Sequence, residues 1–388
     1  MKLKQLSTDF IVEEIPSIDI SQEKDEHAIF LLEKKEIDTF DAIRLIAKKL
    51  RVPLFEIGYA GLKDRHALAK QYISIPTHYK VMDTKIDTLN IHLVGYNRKK
   101  IKIGDLNGNK FTITVRDVKE NELDNVSKRA ETISCGGVPN YFDSQRFGSV
   151  IGNEFIAKYV IKKEYEQAVK RYLTAYLKSE PKKIKDEKRK ILAQWNDLCK
   201  VTVWNKTFVT VIKEYVNTNS WLAAYKKIPA HLREMFVNAY QSYIWNECVK
   251  EILRVCVNGR KLYSVEYSIG SLYFYKDLSN EELSKIPSMF PTLSEKVKLS
   301  EFDNGIVSKV LSNENITIQD LDIESLTGNF FKTRKRQVII IPEDFSISAP
   351  MEDELNSFNG KPQIKVRLSF CLPKGSYATL ITKRIFGH

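Results

Sequence analysis

The chain has 388 residues, enough for two domains, and its 43% hydrophobic content, with 19 Phe, 18 Tyr and 4 Trp, excludes wholesale disorder. Lys and Arg outnumber Asp and Glu by 61 to 49, and the net charge of +12 suits a polyanionic partner without requiring one. The five cysteines form no Cys-x-x-Cys pair and the six histidines add no metal-ligand spacing, so reduced core thiols and no metal are expected.

The N-terminal stretch MKLKQLSTDFIVEEIP meets Asp9 early and has no long apolar run, so it does not read as a secretory signal. No segment approaches the roughly 20 apolar residues of a membrane helix, and a soluble cytoplasmic protein is expected. HAIFLLEKK (27–35) reads as a strand. DTFDAIRLIAKKL (38–50) reads as a helix capped by Asp38 or Thr39, with Phe40, Ile43, Ala47 and Leu50 on one face. In YAGLKDRHALAKQYISIP (59–76), a single acid, Asp64, stands among Lys63, Arg65, His66 and Lys70 ahead of a strand-like tail. By itself such a run is usually a surface turn. YNRKKIKIGDLNGNKF (96–111) is a basic segment with its turn expected at Asn107-Gly108, suited to phosphate contact or to a plain hairpin. KFTITVRDV alternates Phe111, Ile113 and Val115 with Thr112, Thr114 and Arg116, as in a half-buried strand.

GGVPNYFDSQRFG (136–148) is a stiff Gly/Pro turn followed by Asn140, Tyr141, Phe142, Gln145, Arg146 and Phe147. Amide, aromatic ring and guanidinium are the groups that read and stack a splayed-out base; a packed aromatic loop is the bland alternative. From about 160 to 260 the chain turns helical and charge-rich. KKIKDEKRK (182–190) reads as a solvated helix face or an RNA-backbone contact. In VNAYQSYIWNECVKEIL, Val237, Tyr240, Ile244, Cys248 and Ile252 form a core-facing stripe. QVIIIP (337–342) returns as a strand. IKVRLSFCLP alternates Ile364, Val366, Leu368 and Phe370 with Lys365, Arg367 and Ser369, as in an antiparallel sheet wet on one side. LPKGSYATLITKRIFG then presents Tyr377 ahead of an apolar run. Phosphate-loop and dinucleotide fingerprints are both missing.

STDFIVEE (7–14), YAGLKDRHA (59–67), RKKIKIGDLNGNKF (98–111), GGVPNYFDSQRFG (136–148) and LPKGSYAT (372–379) together resemble, in order, the motifs of the TruD family of transfer-RNA pseudouridine synthases. GLKD alone is weak; joined to NYFxxQRFG at this distance it is specific. The likeness covers the first 150 and last 50 residues well, and the middle in fragments such as NAYQSYIWN (238–246).

The resemblance implies an α+β fold: a mixed, largely antiparallel sheet with flanking helices, split by an inserted TruD-specific domain. The expected limits are 1–158 and 339–388 for the catalytic domain and 159–338 for the insert. It implies a synthase isomerising uridine 13 of tRNA, with Asp64 as nucleophile. Phe10 and Asn140 are then expected to contact the target nucleotide, Phe142 to line the pocket, and Lys4 to lie near the carboxylate. One departure stands out. Tyr377 occupies a position where Phe occurs in the family, although other pseudouridine synthase families place Tyr there, so ring stacking is expected to persist. A neighbouring cation, Lys4 or Lys63, is expected to keep the acid ionised. No cofactor and no obligate protein partner are implied. The competing readings are a non-catalytic RNA-binding protein, a synthase acting mainly on another RNA, and a basic scaffold for an acidic protein. A carboxylate facing phosphates would gain a pure binder nothing.

Overall fold

The structure, a computed structural model, describes residues 1–323, 331–358 and 360–387. The chain forms two compact units, residues 1–138 with 340–387, and residues 139–339. The first break therefore falls at 138/139 and not at 158/159. Residues 139–158 go with the second unit because Phe142 exchanges two hydrogen bonds with the Asn246 side chain and packs edge-on against Trp245. The return falls at 339/340, one residue beyond the expected limit.

The first unit is built on a ten-stranded mixed sheet. In chain order its early elements are β1 (Phe10–Pro16), β2 (His27–Lys35), helix α1 (Thr39–Leu50), β3 (Gly58–Tyr59), β4 (Leu68–Pro76), β5 (Thr84–Ile86), β6 (Leu89–Asn97), β7 (Leu106–Val118) and helix α2 (Leu123–Gly136). Strands Glu343–Ile347, Met351–Phe358 and Lys361–Pro373 and the closing helix Ala378–Phe386 complete it. Across the sheet the order is Glu343–Ile347, Lys361–Pro373, β7, β1, β4, β2, β6, β5. Lys361–Pro373 pairs antiparallel with β7, so the end of the chain shares a sheet with its beginning. The fold is α+β with a largely antiparallel sheet; β1 with β4 is a parallel pair, with Ile11 opposite Leu68. Parallel pairing sets the beginnings of both strands side by side. The segments that lead into them, residues 2–9 and 60–67, therefore meet at one end of these central strands.

Local chemistry explains the elements. Asp38 caps α1 by accepting from the Asp41 amide at 3.0 Å. The buried face of α1 is Thr39, Ala42, Ile43 and Ile46, rotated from the expected one, and Phe40 is half exposed. Phe30, Leu32, Ile43, Ile46, Ile73 and Ile91 share the core beneath it. β7 is not half wet. Thr114 and Arg116 are also buried, because the Arg116 guanidinium is taken up by Asp9 at 3.0 Å and Asp353 at 2.9 Å. Those hydrogen bonds, with Asp9 foremost, raise the Arg116 pKa further.

Asn107 and Gly108 lie within β7 and make no turn; the chain turns at 102–105, where the Asp105 carboxylate accepts from the Lys102 amide at 2.7 Å and Gly104 has φ 99°. Gly108 serves a close approach instead, since a Cβ there would sit 2.2 Å from the Leu372 carbonyl oxygen. In QVIIIP, Gln337 ends one short strand and Ile339–Ile340 form another, while the large sheet resumes at Glu343–Ile347.

The second unit is mainly helical around the 27-residue helix Ala230–Cys256. Its stripe of Val237, Tyr240, Ile244, Cys248 and Ile252 is buried, and so are Trp245 and Val249 beside it. Helix Lys182–Ala193 is not uniformly solvated. Glu187 and Lys188 are buried, the former accepting from the Trp204 and Asn205 amides at 3.0 Å each. Among the described residues no helix is long and apolar enough to cross a membrane.

Candidate active site

Asp64 sits in the irregular segment between β3 and β4, and its carboxylate accepts from the Lys4 ammonium at 2.8 Å. The pair is partly open, with 23% of the Lys4 side chain and 35% of the Asp64 side chain exposed. Lys4 reaches it from a left-handed backbone, φ 56°, uncommon for a non-glycine residue. Here the flanking chain is staked on both sides. Lys2 exchanges backbone hydrogen bonds with Arg116, and the Leu6 amide donates to Asp9, itself bound to Arg116. The Lys4 ammonium also lies 4.1 Å from the centre of the Phe10 ring. Phe10 is buried, edge-on to Phe111, which in turn lies against Phe370.

The Lys63 ammonium turns into the protein and bonds Glu14 at 2.5 Å, with 5% and 0% of the two side chains exposed. The other Glu14 oxygen accepts from the Tyr72 amide at 3.2 Å. Residues 60–67 have few ladder partners, so buried side chains satisfy their backbone groups. Gln71 donates to the Gly61 carbonyl, and Thr39 accepts from the Lys63 amide at 2.9 Å while donating to Gln71. Lys34, fully buried, donates to the carbonyls of Ile37, Lys63 and Asp64 at 2.7, 3.1 and 2.8 Å. Burial pulls its pKa down to about 8, against the opposing charges of Asp64 and Asp38.

Tyr377 stands half-buried at the N-terminal edge of helix Ala378–Phe386. The turn before it shares an anchor with the Asp64 segment. Lys374 donates to the Gly104 carbonyl at 3.1 Å, and the Gly104 amide donates to the Ala60 carbonyl at 2.8 Å.

Asn140 and Phe142 belong to the second unit and form a cluster there. Asn140 is buried. Its amide oxygen accepts from Arg336 at 2.6 Å and its amide nitrogen donates to the Gln337 carbonyl at 3.1 Å. The Arg336 guanidinium also binds the Asn140 carbonyl and lies 4.3 Å from the Phe142 ring centre and 5.1 Å from that of Trp245. Arg146 approaches the same Phe142 ring at 5.5 Å. Tyr141 is fully buried, its hydroxyl donating to the Tyr273 carbonyl at 2.9 Å. Much of the amide, ring and guanidinium chemistry read from this loop is thus spent within the protein, and Phe142 keeps a partly exposed ring.

The structure thus brings Lys4, Phe10 and Asp64 together in the first unit. Sequence reasoning missed Lys34, Glu14, Gln71 and Arg336. Three of these had a signal: Glu14 continues the buried Phe10–Val12 face of β1, Lys34 the Phe30–Leu32 face of β2, and Gln71 the Ala69–Ile73 face of β4. Among the described residues no three His, Cys, Asp or Glu side chains gather as a metal site.

Comparison with known proteins adds to this geometry. The family model for tRNA pseudouridine synthase D (TruD) matches residues 1–385. A Methanocaldococcus jannaschii protein named "Probable tRNA pseudouridine synthase D 2" is 42% identical, over 100% of this chain and 92% of that one. The tRNA pseudouridine synthase D of Aquifex aeolicus is 33% identical, over 100% and 98%. A crystal structure of a Methanosarcina mazei protein named "Putative tRNA pseudouridine synthase D (TruD)" superposes with a TM-score of 0.75 at 25% identity, covering 100% of this chain and 93% of that one.

Proposed function

The chain belongs to the tRNA pseudouridine synthase D family, and from that premise we propose that it isomerises uridine 13 of tRNA to pseudouridine in the cytoplasm, with Asp64 as the catalytic carboxylate. The reaction balances within the substrate. The N1–C1′ bond breaks, the freed ring turns, a C5–C1′ bond forms, and the C5 proton is lost while N1 gains one. A carboxylate serves it by adding covalently or by stabilising the positive charge that builds on the sugar as the glycosidic bond breaks. The observation that carries the assignment is the Lys4–Asp64 pair, whose carboxylate is open to a substrate while its loop is held from beneath by buried side chains. Lys4 favours the ionised form that either role needs.

The target uridine must leave its stack, at a cost of about a few kcal/mol, and needs a ring to receive it. Tyr377 is assigned that stacking role; in the second unit, Phe142 keeps a partly exposed ring. Phe10, whose ring lies against the Lys4 ammonium, and Asn140, held by Arg336 in the second unit, keep the nucleotide-contact roles that the family resemblance implies. Arg65 and His66, both exposed beside Asp64, suit the RNA backbone, as does the net charge of +12.

The test is single-turnover conversion of an unmodified tRNA transcript, with pseudouridine mapped chemically. The wild type is expected to yield product at position 13. Asp64→Asn should lose several orders of magnitude in rate with RNA affinity within a few-fold. Substantial residual product in that variant sinks the assignment of Asp64, and product only elsewhere sinks position 13. Tight RNA binding without product by the wild type would favour the non-catalytic reading.

A further inference from the structure

Lys34 has no part in that chemistry, yet its ammonium is directed at the peptide that carries Asp64. Val12, Ala69 and Lys34 occupy one row across β1, β4 and β2, on the face over which residues 60–67 pass. Of the buried side chains that hold this segment, Gln71 takes the Gly61 carbonyl and Thr39 the Lys63 amide, while Lys34 takes the carbonyls of Lys63 and of Asp64 itself. It ties both to the Ile37 carbonyl at the entrance to α1. An ammonium has three N–H donors, and three carbonyls use all of them. No donor is left over for the reaction, so the arrangement orients rather than transfers protons.

We propose that Lys34 is a positioning residue for the isomerisation, whose protonated ammonium holds the Lys63 and Asp64 carbonyls and thereby fixes the catalytic carboxylate against Lys4. This rests on the reading of Asp64 as the catalytic group. A neutral amine keeps two donors and turns a lone pair toward one of the carbonyls, so deprotonation loosens the clamp. The charged groups facing Lys34 are Asp64 and Lys63 from the loop and Asp38 from the turn before α1; the acids favour its charge, Lys63 and burial oppose it, and the balance lies at about 8. Above that pH the segment is expected to slacken while the sheet beneath it persists. The sign for global stability is the opposite. Between about 8 and the ordinary lysine value the unfolded chain binds the extra proton, so this group's contribution to stability rises with pH.

The experiment compares wild type with Lys34→Met in single turnover on unmodified tRNA, together with RNA binding and thermal unfolding, from pH 7 to 9. Lys34→Met is expected to lose about 100-fold in rate, the scale of a misplacement of roughly 1 Å. Its RNA affinity should stay within about threefold, because a fully buried lysine cannot touch phosphate. The wild-type rate should fall above about pH 8 with no matching drop in melting temperature, whereas Lys34→Met should be low and level across the range. If Lys34→Met does not fold, the wild-type profile decides. A wild-type rate that stays level to pH 9, or a Lys34→Met variant at full rate, overturns the proposal. An active Asp64→Asn overturns the reading of Asp64 itself, whereas inactive Asp64→Asn beside full-rate Lys34→Met overturns only the positioning role.

Discussion

Replacing Glu14 by Gln removes one charge from an ion pair with 0% of the Glu14 side chain and 5% of the Lys63 side chain exposed. The shape is kept, and so is an acceptor for the Tyr72 amide. What changes is that the Lys63 ammonium stays buried with its counter-charge gone. Breaking a buried pair from one side typically costs about 3–5 kcal/mol, because the remaining charge is uncompensated. Lys63→Met strands the carboxylate and should cost a similar amount. The double variant buries no charge and should cost less than either single change, which is the signature of coupling. All four tryptophans, Trp195, Trp204, Trp221 and Trp245, lie in the second unit, so their fluorescence is a poor reporter of this damage. Hydrogen exchange in peptides covering 10–16 and 68–76 reads it directly. Protection there is expected to fall roughly 100-fold to several-thousand-fold, since about 1.4 kcal/mol corresponds to a factor of ten. Single variants that cost under about 1 kcal/mol, or a double variant that costs the sum of the two, would refute the buried pair.

Tyr377→Phe should keep activity within about threefold if the ring only stacks, whereas Tyr377→Ala should lose about tenfold to a hundredfold; a Phe variant that binds RNA normally yet is as inactive as the Ala variant excludes stacking alone. Arg336→Met removes the hydrogen bonds to Asn140 and the cation over Phe142 and Trp245, and should destabilise the second unit by about 2–4 kcal/mol in urea unfolding followed by tryptophan fluorescence. A loss under about 0.5 kcal/mol would contradict this. Glu282 is held down to about 2 by its hydrogen bond to Lys261, then by the Ser279 and Asn258 amides. Because its folded value is depressed, the stability it contributes is present above about 4.5 and lost as pH falls toward 2. The gap in urea midpoint between wild type and Glu282→Gln should close over that window, and a gap unchanged at pH 2 would contradict it.

Periodicity was enough for β2, whose bounds match the HAIFLLEKK run, and for α1, where Asp38 is the cap. It was not enough for the phase of α1. Phe40 fits the apolar stripe yet is half exposed, because the sheet beneath takes Ala42, Ile43 and Ile46. The Asn107-Gly108 pair reads as a turn wherever chain neighbours alone are considered. Here both residues extend β7, and the missing side chain of Gly108 makes room for a carbonyl more than 250 residues away, that of Leu372.

By itself the sequence determined the family, since several loop motifs recur in the right order, and it determined most strands and helices of the first unit through patterns of two and of about three and a half residues. Those patterns are local, written within one turn or one strand. Only the tertiary structure decided which partner each charge near Asp64 takes. Lys4 and Asp64 are 60 residues apart, Glu14 and Lys63 are 49 apart, and Lys34 and Asp64 are 30 apart. Lys4 meets Asp64 because β1 and β4 lie parallel and side by side, which brings together the chains that lead into them, and Lys34 meets Asp64 because β2 runs antiparallel to β4 and ends beside its start. Neither Lys63 nor Lys34 differs in type from Lys4. The sheet sets them apart, burying Lys63 against a carboxylate and Lys34 against three carbonyls, and leaving Lys4 at the open edge with the acid that a substrate can reach.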